Sequence, residues 1–238
     1  LLVTRKTLDS ALSRVGEPFI REAMLKAMRM MGKQFVIGED IESAYTNAQP
    51  FVNKGYRMSY DILGEGARTA ADAERYFDSY AKAIDYIGQR SLRSEPIRPA
   101  MSVKLSALHP HYKLVKFERV MSELKPRLMQ ILQAARSANV MVSLDAEEST
   151  RLDMELHLFA SVLREPSLAG WNGLGFVVQA YNKRAAALID WLESQAQETG
   201  RNIPVRLVKG AYWDSEIKRA QVDGLEGYPV YTRKIHTD

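Results

Sequence analysis

The sequence contains no cysteine. Disulfide bonds, thiolate zinc sites and cysteine nucleophiles are therefore excluded, and the composition fits a reducing compartment. No apolar run approaches the roughly 20 residues that a membrane-spanning helix needs, and the N-terminal residues lack the basic start and apolar block of a signal peptide. We therefore expect a cytoplasmic protein.

Neither sign of charge dominates the chain. Its 238 residues include 33 Lys+Arg and 29 Asp+Glu, which gives a formal net charge of +4. The basic residues are scattered among acidic ones, so we expect no nucleic-acid partner through this segment. With 46% hydrophobic and 26% charged residues, the composition is that of a globular protein, and the length suits one large domain or two small ones.

Residues 1–50 are predicted to form a helical arm that precedes a larger domain, residues 51–238. An apolar stripe at helical spacing indicates the first helix and predicts core packing for its methionines. The stripe comprises Ile20, Ala23, Met24, Ala27, Met28 and Met31. A second helix over residues 40–48 is expected to end at Pro50.

From residue 56 onwards, short apolar runs alternate with amphipathic stretches. The runs predict strands over residues 56–63, 100–105, 139–144, 174–180 and 203–208. The stretches predict helices over residues 73–87, 117–135, 152–163 and 185–196, with N-caps at Thr69 and Ser149 and a kink at Pro126. Such alternation indicates an α/β fold with a parallel sheet and crossover helices.

Two architectures with parallel strands are compatible with this alternation: a doubly wound sheet and a (β/α)8 TIM-like barrel. A doubly wound nucleotide fold usually has a glycine-rich turn after its first strand. Here Gly64 and Gly66 follow the first predicted strand without the third glycine of that pattern. We therefore predict the barrel, incomplete in this chain because only about five strands are present.

Each predicted strand has a polar residue at or near its carboxyl end. In a parallel barrel these ends lie on one face, where active sites are built. The residues are Asp61 with Glu65 beyond it, Lys104, Asp145, Gln179 and Arg206. A lysine and an arginine there can bind a substrate carboxylate or stabilise negative charge. The alternative is an internal network of ion pairs, Lys104–Asp145 and Arg206–Glu65, that holds the barrel mouth.

Two other polar groups are weaker candidates. His109 and His111 are two apart with no third metal ligand nearby, so we expect a solvated loop. Glu147 and Glu148 follow Asp145, and we interpret them as helix-start charges, which complement the helix dipole, in preference to an acidic metal cluster. No metal site is predicted.

The last predicted strand leads into a glycine, two aromatic residues and a helix that opens near Asp214. Gly210 lets the backbone approach a ligand closely. A glycine followed by a helix N-terminus suits a phosphate group, and the aromatic residues suit a flat ring. From these residues alone, the chain is a barrel enzyme for an anionic ligand that could be aromatic.

Four motifs in this order resemble the proline dehydrogenase family, in the form found in the bifunctional bacterial proline utilization A enzymes. They are VKLSALHP (103–110), LDAEE (144–148), GFVVQAY (175–181) and RLVKGAYWDSEIKR (206–219). The resemblance covers essentially the whole chain. It implies an FAD-dependent enzyme that oxidises L-proline to pyrroline-5-carboxylate and passes the electrons to a membrane quinone, with possible peripheral association at the inner membrane.

The resemblance also implies roles for individual residues. Lys104 is similar to the lysine that pairs with the proline carboxylate, and Asp145 to the aspartate that organises the substrate pocket. Gln179 and Arg206 match flavin contacts, with the arginine near flavin N5, so Lys104, Asp145 and Arg206 form the expected catalytic set. The segment beside the flavin comprises Val208, Lys209, Gly210, Ala211, Tyr212 and Trp213, of which Ala211 and Tyr212 also lie near the substrate.

The family's barrel has eight strands, and we expect the chain to be a fragment that lacks the last three. The family's threonine-histidine flavin segment, its active-site tyrosine and its paired arginines are not in the sequence. Two alternatives stay open: a barrel aldolase or lyase that uses Lys104 as a Schiff-base amine, and a non-catalytic binding module.

Overall fold

A computed structural model of the chain describes residues 35–90 and 98–238, together with 18, 20–28, 30 and 32. The chain divides between Tyr56 and Arg57 into two units. In the first unit, residues 20–28 are helical. The predicted apolar stripe is not a core face there, because Ile20, Met24 and Met28 are each about 60% exposed. Met31 lies outside the described residues.

Helix α1 (Ile41–Val52) completes the described part of the first unit. Asp40 begins it, with a carboxylate that accepts the Ser43 backbone N–H at 2.8 Å. The helix does not end at Pro50 as predicted. Pro50 lacks only its own N–H, and the helix continues because the next turn closes through the Asn53 N–H, which donates to the Gln49 carbonyl at 2.9 Å.

The second unit alternates strands and helices as predicted. The strands are β1 (Ser59–Asp61), β2 (Ala100–Val103), β3 (Met141–Leu144), β4 (Leu174–Gln179) and β5 (Val205–Val208). The helices are α2 (Ala70–Arg90), α3 (Leu105–Leu108), α4 (Phe117–Ala138), α5 (Leu152–Leu163), α6 (Ala185–Thr199) and α7 (Trp213–Val222). Short 3-10 helices cover Leu114–Lys116, Ser149–Arg151, Pro166–Leu168 and Lys234–His236. Helix α4 runs through Pro126.

All five strands are parallel and pair in the order β1-β2-β3-β4-β5. A doubly wound sheet would reverse its strand order at a switch point, and this sheet does not. The sheet is also strongly curled. Arg206 of β5 donates to the Ser102 hydroxyl of β2 at 3.2 Å, although strands three apart in a flat sheet are separated by about 14 Å and their side chains stand perpendicular to it. The incomplete TIM-like barrel is confirmed.

The core lies between the sheet and the helices. Strand β4 is buried along its whole length, as a central parallel strand covered on both faces should be. The predicted helical stripes supply the facing side chains: Tyr80, Ile84 and Ile87 of α2, and Leu124, Leu128, Ile131 and Leu132 of α4, are all buried. This packing fixes the strands and therefore the side chains at their carboxyl ends.

Only one of the two predicted N-caps is correct. The Thr69 hydroxyl accepts the Asp72 N–H at 3.1 Å, and the Asp72 carboxylate accepts the Thr69 N–H at 2.9 Å, so a capping box begins α2. The Ser149 prediction is wrong. Its hydroxyl donates to Glu216 at 2.5 Å, and a 3-10 turn separates it from α5.

None of the helices in the part of the chain that the structure describes is long and apolar enough to cross a membrane.

Candidate active site

A cleft of about 570 Å³ opens at the carboxyl ends of the strands. It is lined by Asp61, Glu65, Lys104, Asp145, Ala146, Val177, Gln179, Arg206, Val208, Lys209, Gly210, Ala211 and Tyr212. The topology therefore brings together every site residue that the sequence suggested except Trp213. The volume of the cleft lies within the range that is usual for small-molecule binding sites.

Lys104 follows β2 and lies between two carboxylates. Its Nζ is 2.7 Å from Asp61 Oδ1 and 2.8 Å from Asp145 Oδ2, and its side chain is only 12% exposed. Burial opposes the charged form, but the hydrogen bonds and charges of Asp145 and Asp61 outweigh burial and raise the pKa of Lys104. A Schiff-base lysine needs a neutral amine, so this environment disfavours the aldolase alternative. An ammonium has three N–H donors, and one is left for a ligand.

Asp145 connects Lys104 to Arg206. One carboxylate oxygen accepts from Lys104, and the other accepts from the Arg206 Nη2. Half of the predicted ion-pair network is thus present, Lys104–Asp145. The Arg206–Glu65 pair is wrong, since Arg206 lies two residues before the end of β5 and reaches Asp145 and Ser102 across the curled sheet.

Arg206 keeps one polar atom without a partner. Its Nε is buried, and no acceptor lies within hydrogen-bonding distance among the residues described. Buried donors are almost always satisfied in native proteins, and an exception calls for an explanation such as a ligand. The Arg206 side chain that carries this unpaired N–H lines the cleft, as expected for a group that hydrogen-bonds a bound molecule.

Glu65 and Tyr212 join the first and last loops of the cleft. The Tyr212 hydroxyl donates to Glu65 Oε2 at 2.7 Å. Burial, together with this hydrogen bond and the charge of Glu65, raises the pKa of Tyr212. Tyr212 therefore stays a neutral donor, and the bond spans the cleft from the loop after β1 to the loop after β5.

Gln179, the last residue of β4, connects two loops through its side-chain amide. Its Nε2 donates to the Glu147 carbonyl at 2.9 Å, and its Oε1 accepts the Ala211 N–H at 3.1 Å. Both ends of the amide are therefore satisfied by backbone groups of the loops after β3 and β5. This arrangement holds Ala211 in the cleft wall.

Glu147 supports the floor of the cleft rather than a helix start as predicted. Its carboxylate is buried, accepts the Ser106 N–H at 2.9 Å and pairs with Arg151. Burial raises the pKa of Glu147, although Arg151 and Ser106 act in the opposite direction. The pattern Asp-Ala-Glu-Glu gave no sign of this, because Ser106 is 41 residues away in sequence.

Gly210 is required by both its backbone and its surroundings. Its φ is +130°, and a Cβ there would lie 1.4 Å from Cδ1 of Tyr181. The buried Tyr181 ring thus packs directly against the Gly210 backbone. Sequence reasoning identified the glycine but gave no role to Tyr181, which follows the predicted strand over residues 174–180.

Tyr80 is a second residue that the sequence did not reveal. It belongs to the apolar stripe of α2 and is fully buried, and its hydroxyl accepts the Lys104 backbone N–H at 3.2 Å. Burial raises the pKa of Tyr80, so its hydroxyl stays neutral. The phenol fixes the backbone from which Lys104 projects.

The remaining predicted residues lie at the margin. Lys209 lines the cleft but is 67% exposed and pairs with Asp238 at 2.6 Å. Trp213 opens α7, and its indole N–H donates to the Tyr231 carbonyl at 2.8 Å. Because Trp213 lies outside the cleft lining, a flavin contact from this residue stays a prediction.

The His-Pro-His segment is not a solvated loop throughout. His109 is buried, its Nδ1 accepts the His111 N–H at 3.1 Å, and its Nε2 is 3.0 Å from Glu123. Since Nδ1 is an acceptor, Nε2 carries the proton and donates to Glu123. No group of three metal-ligating side chains occurs among the described residues.

Comparison with known proteins gives consistent matches. The family model "Proline dehydrogenase" matches residues 44–238. The chain is 53% identical over 234 residues to "Bifunctional protein PutA" of Escherichia coli, which covers 98% of the chain and 18% of that protein. It is 29% identical over 187 residues to "Proline dehydrogenase 1" of Bacillus subtilis, which covers 79% of the chain and 54% of that protein.

Solved structures agree with these sequence matches. A variant of Bradyrhizobium japonicum proline utilization A superposes with a TM-score of 0.81 at 51% identity over 95% of this chain and 23% of that one. The Bdellovibrio bacteriovorus protein, inactivated by N-propargylglycine, superposes with a TM-score of 0.87 at 27% identity over 92% of this chain and 24% of that one. The chain spans about a fifth of the length of the PutA proteins that it matches. From the family match and these identities, the chain belongs to the proline dehydrogenase family.

Proposed function

We propose that the cleft is the active site of an FAD-dependent enzyme that oxidises L-proline to pyrroline-5-carboxylate. The observation that carries the proposal is the meeting of Lys104, Asp145 and Arg206, from three different strands, in one cleft of a chain that belongs to this family. Proline dehydrogenases are in general flavoenzymes. FAD as the cofactor of this chain is part of the proposal.

The residues of the cleft fit a flavin. The orphaned Arg206 Nε can donate to a ring nitrogen, which matches the expected place of this arginine near N5. Gly210 lines the same cleft, and the Tyr181 ring that packs against it fixes this part of the cleft wall. We assign Gln179, Arg206, Val208, Lys209, Gly210, Ala211, Tyr212 and Trp213 to the flavin. When bound, FAD supplies the acceptor for a hydride from the proline carbon next to the amine.

The chain's own residues bind and orient the substrate. The free N–H of Lys104 donates to the proline carboxylate, and Asp145 fixes both Lys104 and Arg206 so that neither cation moves when the substrate enters. Ala211 and Tyr212 border the substrate, with Ala211 held by Gln179 and Tyr212 held by Glu65. Loss of the hydride from carbon and of a proton from nitrogen gives the cyclic imine, so two electrons leave the substrate.

We propose that a membrane quinone is the final acceptor of the electrons. We also propose that the enzyme is cytoplasmic and associates peripherally with the membrane. We also propose residues 1–50 as a helical arm and residues 51–238 as the barrel.

The test uses the full-length protein that contains this chain. Its flavin absorbance is recorded anaerobically while L-proline is added, and we expect bleaching of the oxidised flavin.

Arg206→Met should slow this reduction and lower the flavin content together, because the substitution removes a permanently charged donor. Arg184→Met is the matched control, since Arg184 is half exposed and pairs with Asp153 away from the cleft. Bound flavin that proline does not reduce would overturn the enzyme proposal in favour of a binding module.

A further inference from the structure

The opposite end of the sheet has a second cleft. It has a volume of about 560 Å³ and is lined by Arg57, Arg98, Arg136, Asn139, Met141, Ala169, Gly170, Trp171 and Asn172. Arg57 and Arg98 lie two residues before β1 and β2, and Arg136 lies in the last turn of α4 before β3. The cleft is therefore at the amino ends of the strands, where it shares no residue with the carboxyl-end cleft.

None of its three guanidinium groups pairs with a carboxylate of the residues that the structure describes. The lining includes no carboxylate. Arg57 donates to the Met141 sulfur at 3.6 Å, its single hydrogen bond to the described residues, and Arg136 donates to the carbonyls of Ser167 and Ala169. Arg98 makes no hydrogen bond or ion pair with any residue that the structure describes. By contrast, most arginines at the other end and on the helices pair with acids, Arg151 and Arg206 among them.

A fourth arginine lies behind this cleft. Arg201 is 94% buried by side-chain and backbone neighbours, and it donates to the Leu163 carbonyl at 2.7 Å and to the Trp171 carbonyl. Its Nε is buried and unpartnered among the residues described. Burial, and to a smaller extent the positive charge of Arg136, lower the pKa of Arg201. An anion in the cleft would offset this positive charge.

We propose that this cleft is a second binding site, for a small anion that carries two or more phosphate or carboxylate groups. Guanidinium groups match the planar, bidentate geometry of both oxyanions. Three cations that converge on one polar cavity favour a multivalent ligand, because a single carboxylate would leave two of them unpaired. Trp171 and Met141 also line the cavity, beside the three arginines.

The test is calorimetric titration of the full-length protein at fixed ionic strength with inorganic pyrophosphate, citrate and acetate. We expect the first two to bind and acetate not to bind. Binding of pyrophosphate alone would identify a phosphate ligand, and binding of both would extend the site to polycarboxylates. Fixed ionic strength is required because exposed cations are screened by salt.

The informative variant is Arg57→Gln/Arg98→Gln, because neither side chain hydrogen-bonds the backbone and the fold should be kept. Each lost charge-assisted contact should lower affinity about tenfold, hence about a hundredfold together. Arg119→Gln is the control, an exposed arginine at the other end of α4. Proline oxidation should not change in any of these variants. Absence of pyrophosphate and citrate binding, or equal affinity in the double variant and the parent, would overturn the proposal.

Discussion

Lys104 illustrates how one side chain can be structural and functional at once. It pairs with both Asp61 and Asp145, so the two carboxylates set the position of its third N–H. They also reduce the net positive charge that a substrate carboxylate meets. Binding then depends on a directed hydrogen bond more than on a strong field.

Replacing Lys104 by alanine should raise KM for proline by about ten- to a hundredfold, because a charge-assisted hydrogen bond contributes roughly 1.5–3 kcal/mol. Flavin content should change much less. Lys125→Ala is the matched control, since Lys125 pairs with Glu165 at 2.5 Å and does not line the cleft. Steady-state kinetics and the flavin-to-protein absorbance ratio measure both effects. A KM equal to that of the parent would contradict the carboxylate assignment.

Any side chain at position 210 would meet both an unfavourable backbone conformation and a steric conflict with Tyr181. A pair of glycine variants can separate these two effects. Gly210→Ala places a Cβ inside the Tyr181 ring at a φ of +130°, so we expect a loss of about 3 kcal/mol or more in the free energy of unfolding and a loss of bound flavin. Gly200→Ala has a φ of +62° with no atom within 4 Å of the added Cβ, and it should cost only about 1 kcal/mol.

Urea unfolding and flavin absorbance check this pair. The close approach of Tyr181 to Gly210 would be contradicted if both variants lost the same stability and Gly210→Ala kept its flavin.

At the scale of elements, α5 places a carboxyl group in the core beneath the cleft. Glu155 is fully buried, and its Oε1 has no partner among the described residues. Burial, together with the negative charges of Glu147 and Asp145, raises the pKa of Glu155 well above its ordinary value, and Arg151 compensates only in part. Glu155 therefore binds its proton more tightly in the native state than in the unfolded chain.

The raised pKa of Glu155 makes the free energy of unfolding decrease as the pH rises. In the unfolded chain Glu155 ionises above about pH 4.5, whereas the native state keeps its proton, so stability falls as the pH rises from there towards the native pKa. Glu155→Gln removes this dependence. Relative to the parent, the variant should gain up to about 1.4 kcal/mol per pH unit as the pH rises above about 5.

Urea unfolding between pH 5 and 8 measures the effect of Glu155→Gln. The exposed Glu226→Gln removes the same charge and serves as the control. Parallel stability curves for Glu155→Gln and the parent would show that Glu155 is ionised in the native state.

The elements themselves were predictable, and the side-chain partners were not. Apolar runs and helical stripes are local patterns, so they identified the five strands and the long helices, although strand ends were set too wide by one to three residues, as for β1. Polar residues after the strands identified the cleft because parallel strands end on one face. Arg206 reaches Asp145 instead of Glu65 because of its depth in β5 and the curl of the sheet from β3 to β5, which no local sequence pattern encodes.

At the scale of the whole molecule, the sheet has two open edges. Among the described residues, β1 pairs only with β2 and β5 only with β4. Val205 and Leu207 of β5 are 46% and 61% exposed, which is unusual for a parallel strand, since such strands are normally covered on both faces. The edge strand that carries Arg206 is therefore a site for association with other chains or with further strands.

We expect residues 1–238, expressed alone, to bind FAD poorly and to lack proline:quinone oxidoreductase activity. Five strands cannot close an eight-stranded barrel, so the wall of the cleft beyond β5 is open, and reacting atoms must be held to within about half an ångström of productive geometry. The exposed edge should also make this polypeptide self-associate, which size-exclusion chromatography can detect. A flavin spectrum and a dye-coupled assay with L-proline complete the test. A yellow, monomeric protein that oxidises proline would show that the five strands described here already hold the substrate and the flavin in place.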